Sequence, residues 1–290
     1  VHDCRYMAYA ALYSEREVAE YKYRMEKSLN RADMIVTVSK FTRNEVLNHF
    51  SFPDERIKVI HNGFNQIPCN DGKLKDRANK FIHSKKLPPS YLICVGTSDP
   101  RKNIARLIEA FSLCRKESED FPHLVIAGID WQDWVKSGLK IKTEKLGLSN
   151  YVHSYGLLEK ELLIGLIQMS FILCYPSLYE GFGFPPLEGM SLGIPVLASR
   201  TSSIPEIVND SACLVDPESV EDIATGLIKL VYDQDYRNNL IQSGYQLFHQ
   251  SVKHHRTARE TGRKDGDRRH AGHQRSEERR VGKECRSRWS

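Results

Sequence analysis

The chain has 290 residues, 40% of them hydrophobic and 27% charged, which is enough for two domains of ordinary size and typical of a globular protein. It contains no run of 18 or more apolar residues, so no segment has the pattern of a membrane-spanning helix. The formal net charge of +5 belongs to one end: residues 251–290 hold 13 Lys and Arg against 6 Asp and Glu, leaving 29 against 31 for residues 1–250, so the body does not read as a nucleic-acid binder.

The chain opens on "VHDCRYMAYA", without methionine, charged start or long apolar stretch, so it is not a signal peptide and reads as beginning inside a domain. Two short β-branched runs follow, "MIVTVS" (34–39) and "IKVIHNG" (57–63). Between them "KFTRNEVLNHF" has a helical pattern with Ser39 as its N-cap, which predicts a β-α-β unit. Residues 1–64 are therefore expected to be the remnant of one α/β domain. Residues 65–89 lack apolar runs and end in Pro-Pro, and read as a linker.

From residue 90 the alternation is more regular. Strands are predicted at 91–96, 123–128, 151–156, 171–177, 194–199 and 212–216. Helices are predicted at 103–117, in the stretch up to 146, at 160–169, at "IPEIV" and from 220 to 249. Several of these strands are apolar throughout, which indicates a parallel sheet covered on both faces. The fold class expected is α/β, with a doubly wound second domain over residues 90–250.

In such a sheet a ligand lies at the carboxyl ends of the strands. The loop "LYEGFGF" follows the strand "FILCYPS", and Pro185 and Pro186 suit the first turn of the next helix, where a missing N–H costs nothing. Gly181 and Gly183 allow close backbone approach, and a helix N-terminus favours an anion such as phosphate. Glu180 and Glu188 flank this loop. From local physics alone Glu188 could equally serve only to complement the helix dipole.

The stretch "EGFGFPPLE" matches the E-x7-E signature of the retaining, nucleotide-sugar-dependent glycosyltransferases of family 4, the glycosyl transferases group 1. "VHD", "RADMIVTVSKFTRNEV", "IKVIHNG", "VGTSDPRKNIARLIEAF", "VHSYG" and "LGIPVLASRTSSIPEIVNDSACLVDP" also resemble family segments, in family order, over residues 1 to about 250. The resemblance implies a GT-B fold, two Rossmann-like domains facing a cleft, the first incomplete here.

It further implies roles, position by position. Glu188 would accept hydrogen bonds from the donor ribose, Glu180 would contact the donor sugar, and the backbone of Gly181, Phe182 and Gly183 would hold sugar and diphosphate. Lys102 would neutralise the diphosphate. Thr97 stands where many members carry a second cation, and Arg101 is the candidate to replace it. Tyr155, Gly156 and Leu157 match the segment that meets the nucleotide base, and His2 with Asp3 matches the "HD" pair facing the cleft. Ser202 and Ser203 replace a frequent Gly-Gly, and Glu206 reads as structural.

The implied reaction is transfer of a mannose- or glucose-type hexose from a nucleotide sugar to a glycan or lipid-linked acceptor with retention, without cofactor or metal. The implied setting is the cytoplasm, with peripheral membrane association through the first domain as one option. A sugar-nucleotide epimerase of the same fold, disfavoured by the Glu180/Glu188 signature, and a non-catalytic nucleotide-binding fragment are the alternatives.

Seven cysteines at wide spacings without C-x-x-C favour reduced thiols. Residues 251–290 carry no apolar period. Arg275 to Ser290 resemble translated sequencing-adapter DNA, so this tail is expected to be non-native and disordered. Its Asp265-Gly266-Asp267 is for that reason not expected to bind a metal.

Overall fold

The computed structural model describes residues 1–64 and 72–248. The tail from 251, with its Asp-Gly-Asp and its adapter-like residues, lies outside them, as do Cys69 and Cys285. The other five cysteines are buried and free. No described helix is long and apolar enough to cross a membrane.

The first lobe contains helices α1 (Arg5–Ala8) and α2 (Glu15–Leu29), strand β1 (Ile35–Thr37), helix α3 (Lys40–His49) and strand β2 (Ile57–Val59). The predicted β-α-β unit is present: β1 and β2 run parallel, with Ile35 opposite Ile57. Cys4, Leu29, Ile35, Val46, Phe50 and Ile57 form its small core. Helix α2 had no counterpart in the sequence reading, because its apolar positions are spread among charges. A reciprocal cap starts it, the Ser14 hydroxyl accepting from the Glu17 amide and the Glu17 carboxylate from the Ser14 amide.

The linker reading is corrected over residues 72–85. They form helix α4 (Gly72–Lys85), whose Leu74, Ala78 and Ile82 are buried. Apolar residues four apart make a helical stripe rather than a run, which is why the segment looked polar. The stripe packs on α8 (Lys160–Met169), where Gly165 lies so close that an added Cβ would stand 2.4 Å from the Leu74 carbonyl oxygen.

The second lobe holds β3 (Tyr91–Val95), α5 (Ile104–Glu117), β4 (His123–Ala127), α6 (Trp131–Lys136), α7 (Leu139–Lys145) and β5 (Val152–Tyr155). After α8 come β6 (Ile172–Tyr175), α9 (Phe184–Ser191), β7 (Val196–Ser199), α10 (Ile204–Val208), β8 (Cys213–Val215) and α11 (Val220–Tyr232). A further helix is described over 234–248. All six predicted strands are present, in one parallel sheet of order β5-β4-β3-β6-β7-β8.

Alternate residues feed two cores. Leu92 and Cys94 join the layer containing α5 and α11, and Tyr91, Ile93 and Val95 the layer containing α4, α8 and α9. Both faces of β3 are thus covered, as its unbroken apolar run requires. The strand order reverses direction between β3 and β6. The crevice at their carboxyl ends is the topological switch point, where open α/β sheets bind ligands.

Candidate functional site

Two loops meet at that switch point. After β3, Asp99 caps a 3-10 turn over Pro100–Lys102 by accepting from the Arg101 amide, and Asn103, at φ 60°, redirects the chain into α5. The Asn103 amide nitrogen donates to the carbonyls of Pro176 and Pro217, at 2.9 and 2.6 Å, which locks this turn to the loops after β6 and β8. After β6, the Leu178 amide donates to the Arg101 carbonyl at 2.7 Å, and the Ser177 hydroxyl oxygen lies 3.0 Å from the same carbonyl.

This stitching brings Lys102, Arg101 and Glu180 together. Lys102 Nζ donates to Glu180 Oε1 at 2.7 Å and to the Tyr175 hydroxyl at 3.0 Å. Ser177 Oγ donates to the same Oε1 at 2.7 Å, and an Arg101 terminal nitrogen lies 3.1 Å from Oε2. Asp99 in turn holds Arg101 Nε at 2.9 Å. Glu180 is buried. Burial alone would raise its pKa, but Lys102 and Arg101 outweigh burial and hold the carboxyl below its ordinary value. Arg101 thus places a second cation beside Lys102 and Glu180.

Glu188 has a contrasting environment. It lies on α9, which starts after Gly183 at φ 99° with prolines in its first turn. Its carboxylate has no hydrogen bond or ion pair within the described residues, and burial raises its pKa, opposed only by Lys160. The amides of Gly181, Phe182 and Gly183 likewise donate to no described acceptor.

Ser202 and Ser203 brace the loop from behind. Ser202 Oγ accepts from the Glu180 amide at 3.1 Å, and Ser203 Oγ lies 2.8 Å from the Glu180 carbonyl and 3.0 Å from that of Phe182. The sequence reading did not identify Tyr175, Ser177 or Asp99 as site residues. Ser177, three positions before Glu180, was open to recognition from local spacing, whereas Tyr175 and Asp99 act across loops.

The first lobe closes over this loop. The Gly181 carbonyl accepts from Ser39 Oγ at 2.7 Å and Thr42 Oγ1 at 3.2 Å, and a Cβ on Gly181 would stand 1.8 Å from the His2 carbonyl oxygen. His2 is therefore beside the glycine loop, with its side chain exposed. The predicted N-cap role of Ser39 holds, since its hydroxyl also accepts from the Thr42 amide. The Cys4 amide donates to the Tyr179 hydroxyl at 3.1 Å, adding a further tie.

Tyr155, Gly156 and Leu157 sit at the same edge of the sheet but are separated from β6 by β4 and β3. The Tyr155 ring packs on Phe81 and its carbonyl accepts from the Gly128 and Ile129 amides, while Leu157 is 85% exposed. No described group of three or more His, Cys, Asp and Glu is placed to hold a metal ion.

A six-stranded parallel sheet with its ligand crevice at the switch point, faced by a second α/β lobe, defines an α/β protein of the GT-B class. The family model "Glycosyl transferases group 1" matches residues 75–247 and "Glycosyltransferase Family 4" matches residues 1–66; the chain belongs to the glycosyl transferases group 1 family.

It is 32% identical over 216 residues to the O-antigen chain mannosyltransferase B of Escherichia coli, covering 73% of this chain and 55% of that protein. It is 28% identical over 211 residues to the serotype-specific mannosyltransferase WbdA of the same organism, covering 72% of this chain and 26% of the relative. The chain thus spans about half of the one and a quarter of the other. Among solved structures, Anabaena Alr3699/HepE in complex with UDP and glucose superimposes with a TM-score of 0.70 at 21% identity, over 86% of this chain and 68% of that one.

Proposed function

We propose that this chain carries the donor side of a retaining hexosyltransferase, which moves a mannose- or glucose-type sugar from a nucleoside diphosphate to a hydroxyl of a glycan or lipid-linked acceptor. The observation that carries the reading is the convergence of Lys102 and Arg101 on Glu180 at the switch point, beside a helix whose Glu188 carboxylate has no hydrogen bond or ion pair among the described residues. The names of the two mannosyltransferase relatives support a hexose donor. Action in the cytoplasm, with peripheral association to a membrane that presents a lipid-linked acceptor, belongs to the same proposal.

The residues divide the work by their chemistry. Lys102 and Arg101 meet the diphosphate and stabilise the negative charge that grows as it departs. The free amides of Gly181, Phe182 and Gly183 add donors, and the two acceptor oxygens of Glu188 suit the vicinal diol of the ribose. Tyr155, Gly156 and Leu157 line the route to the base, and His2 reaches the sugar or acceptor from the first lobe.

Glu180, with both oxygens engaged by cations, orients sugar hydroxyls rather than attacking carbon. The acceptor oxygen bonds to the anomeric carbon on the face from which the diphosphate leaves, the carbon–oxygen bond to phosphate breaks, and the acceptor proton passes to the departing phosphate oxygen. No step calls on a metal.

The test is calorimetric titration of the chain with UDP and GDP. One of them is expected to bind, and Lys102→Ala to cost about 1.5–3 kcal/mol of that affinity, the range for a hydrogen bond to a charged group. Affinity within twofold of the parent would remove Lys102 from the site.

A further inference from the structure

Helix α3 begins with amides that have no partner inside the helix, and its own lobe satisfies only one of them. Ser39 accepts from Thr42 at 3.0 Å. The two amides before it look across the cleft: Lys40 donates to Glu206 Oε1 at 2.9 Å and Phe41 to Glu206 Oε2 at 3.2 Å. His61 Nε2, just beyond β2, lies 2.7 Å from the same Oε1. Glu206 belongs to α10 in the other lobe, so it caps a helix of the lobe opposite its own, at the end where the backbone dipole favours a negative charge.

Glu206, expected from the sequence to be structural, makes these bonds across the lobes rather than within its own helix. Its carboxylate is mostly shielded, with 18% side-chain exposure, and its bonds among the described residues go to the first lobe. What it fastens is the segment that grips the glycine loop. Ser39 and Thr42, on the turn that Glu206 caps, hold the Gly181 carbonyl. The peptide joining Gly181 to Phe182 is trans, as are all described peptides, so its C=O and N–H point in opposite directions. Drawing the carbonyl into the first lobe therefore turns the Phe182 N–H away from it, towards the second lobe.

We infer that Glu206 is a positioning residue: by capping α3 across the cleft it holds Ser39 and Thr42 on the Gly181 carbonyl, and so fixes the direction of the Phe182 amide in the donor loop. The inference rests on the reading of residues 180–188 as the donor site. Glu206 itself need not touch the ligand.

The test compares the chain with Glu206→Ala, the isosteric Glu206→Gln and Ser39→Ala, by residue-resolved amide hydrogen exchange and by titration with UDP and GDP. In Glu206→Ala the Lys40 and Phe41 amides should exchange at least tenfold faster, and the nucleoside diphosphate should bind roughly five- to tenfold more weakly. Glu206→Gln, which keeps one acceptor oxygen and the side-chain shape, should fall between parent and alanine variant in both. Ser39→Ala should weaken binding too, and the double variant should be less than additive, because both residues act through one carbonyl.

Unaltered protection of Lys40 and Phe41 in Glu206→Ala, or in Glu206→Gln should the alanine variant not fold, overturns the latch. Faster exchange with affinity within twofold of the parent shows a structural tie only and overturns the positioning role. A parent that binds neither nucleotide overturns the donor-site reading and the positioning role with it, and the exchange measurement then still decides whether the latch exists.

Discussion

Glu180 and Glu188 are the same residue type, eight positions apart on one loop and helix, and the fold gives them opposite surroundings. Glu180 accepts from Lys102 and Ser177, pairs with Arg101, and is held ionised against its burial. Glu188 has no described partner, and burial pushes its pKa up. One carboxylate completes a charge network within the protein. The other keeps hydrogen-bonding capacity that no described residue uses, at a cost to the folded state. A sequence motif treats the two as a pair, whereas the energetics separate a carboxylate that supports the site from one that the site supports.

The largest expected consequence is in stability. Glu180→Ala would strand Lys102 and Arg101 with little solvent to compensate, and breaking a buried network from one side costs about 3 kcal/mol or more. Glu188→Ala removes a group with no hydrogen bond or ion pair among the described residues and should change stability by no more than about 1 kcal/mol. Urea denaturation of the two variants checks this, and equal losses would erase the distinction.

Ligand binding should reverse the ranking. Glu188→Gln is expected to weaken the ribose contact by about 1.5 kcal/mol, roughly tenfold. The loss should be absent for a nucleoside diphosphate lacking both ribose hydroxyls. An equal loss for both ligands would place Glu188 away from the ribose. Glu180→Gln removes the negative charge that competes for Lys102 and Arg101, so inorganic pyrophosphate should bind on the order of threefold more tightly. Weaker pyrophosphate binding in that variant would show that the carboxylate serves mainly to hold the cations in place.

The smallest effect is the pH dependence, and it has opposite signs at the two sites. Glu180, with a folded-state pKa below that of an unfolded glutamate, contributes stability that is complete above about pH 4.3 and is lost as pH falls through the lower folded value. Glu188, with a raised folded-state pKa, costs stability as pH rises from about 4.3 through its folded value. Relative to the parent, Glu188→Gln should therefore be slightly more stable at pH 7 and lose that advantage on acidification. A constant difference between pH 7 and pH 4 would show that Glu188 does not titrate as its burial requires.

Much of the architecture was readable from sequence because local chemistry specifies it. Unbroken apolar runs marked the strands of a sheet covered on both faces, and Pro185-Pro186 after Gly183 marked the start of α9. Position on the chain and the E-x7-E spacing likewise put Glu180 and Glu188 at the carboxyl edge of the sheet. Helices α2 and α4 escaped because their buried residues are diluted among charges at helical spacing, so that only packing against β1 or α8 reveals the stripe.

What the sequence could not decide were relations between loops distant along the chain. Arg101 lies against Glu180 because a 3-10 turn, held by Asn103 to the loops after β6 and β8, aims it there. Glu206 bonds α3 because the two lobes meet there, although 165 positions separate it from Phe41. Residue types and near-neighbour spacing determine which elements form and which groups are available. Which charges neutralise one another, and which are left for a ligand, is settled by the few ångströms between loops that only the folded chain brings together, because hydrogen bonds and ion pairs act over such distances and not along the sequence.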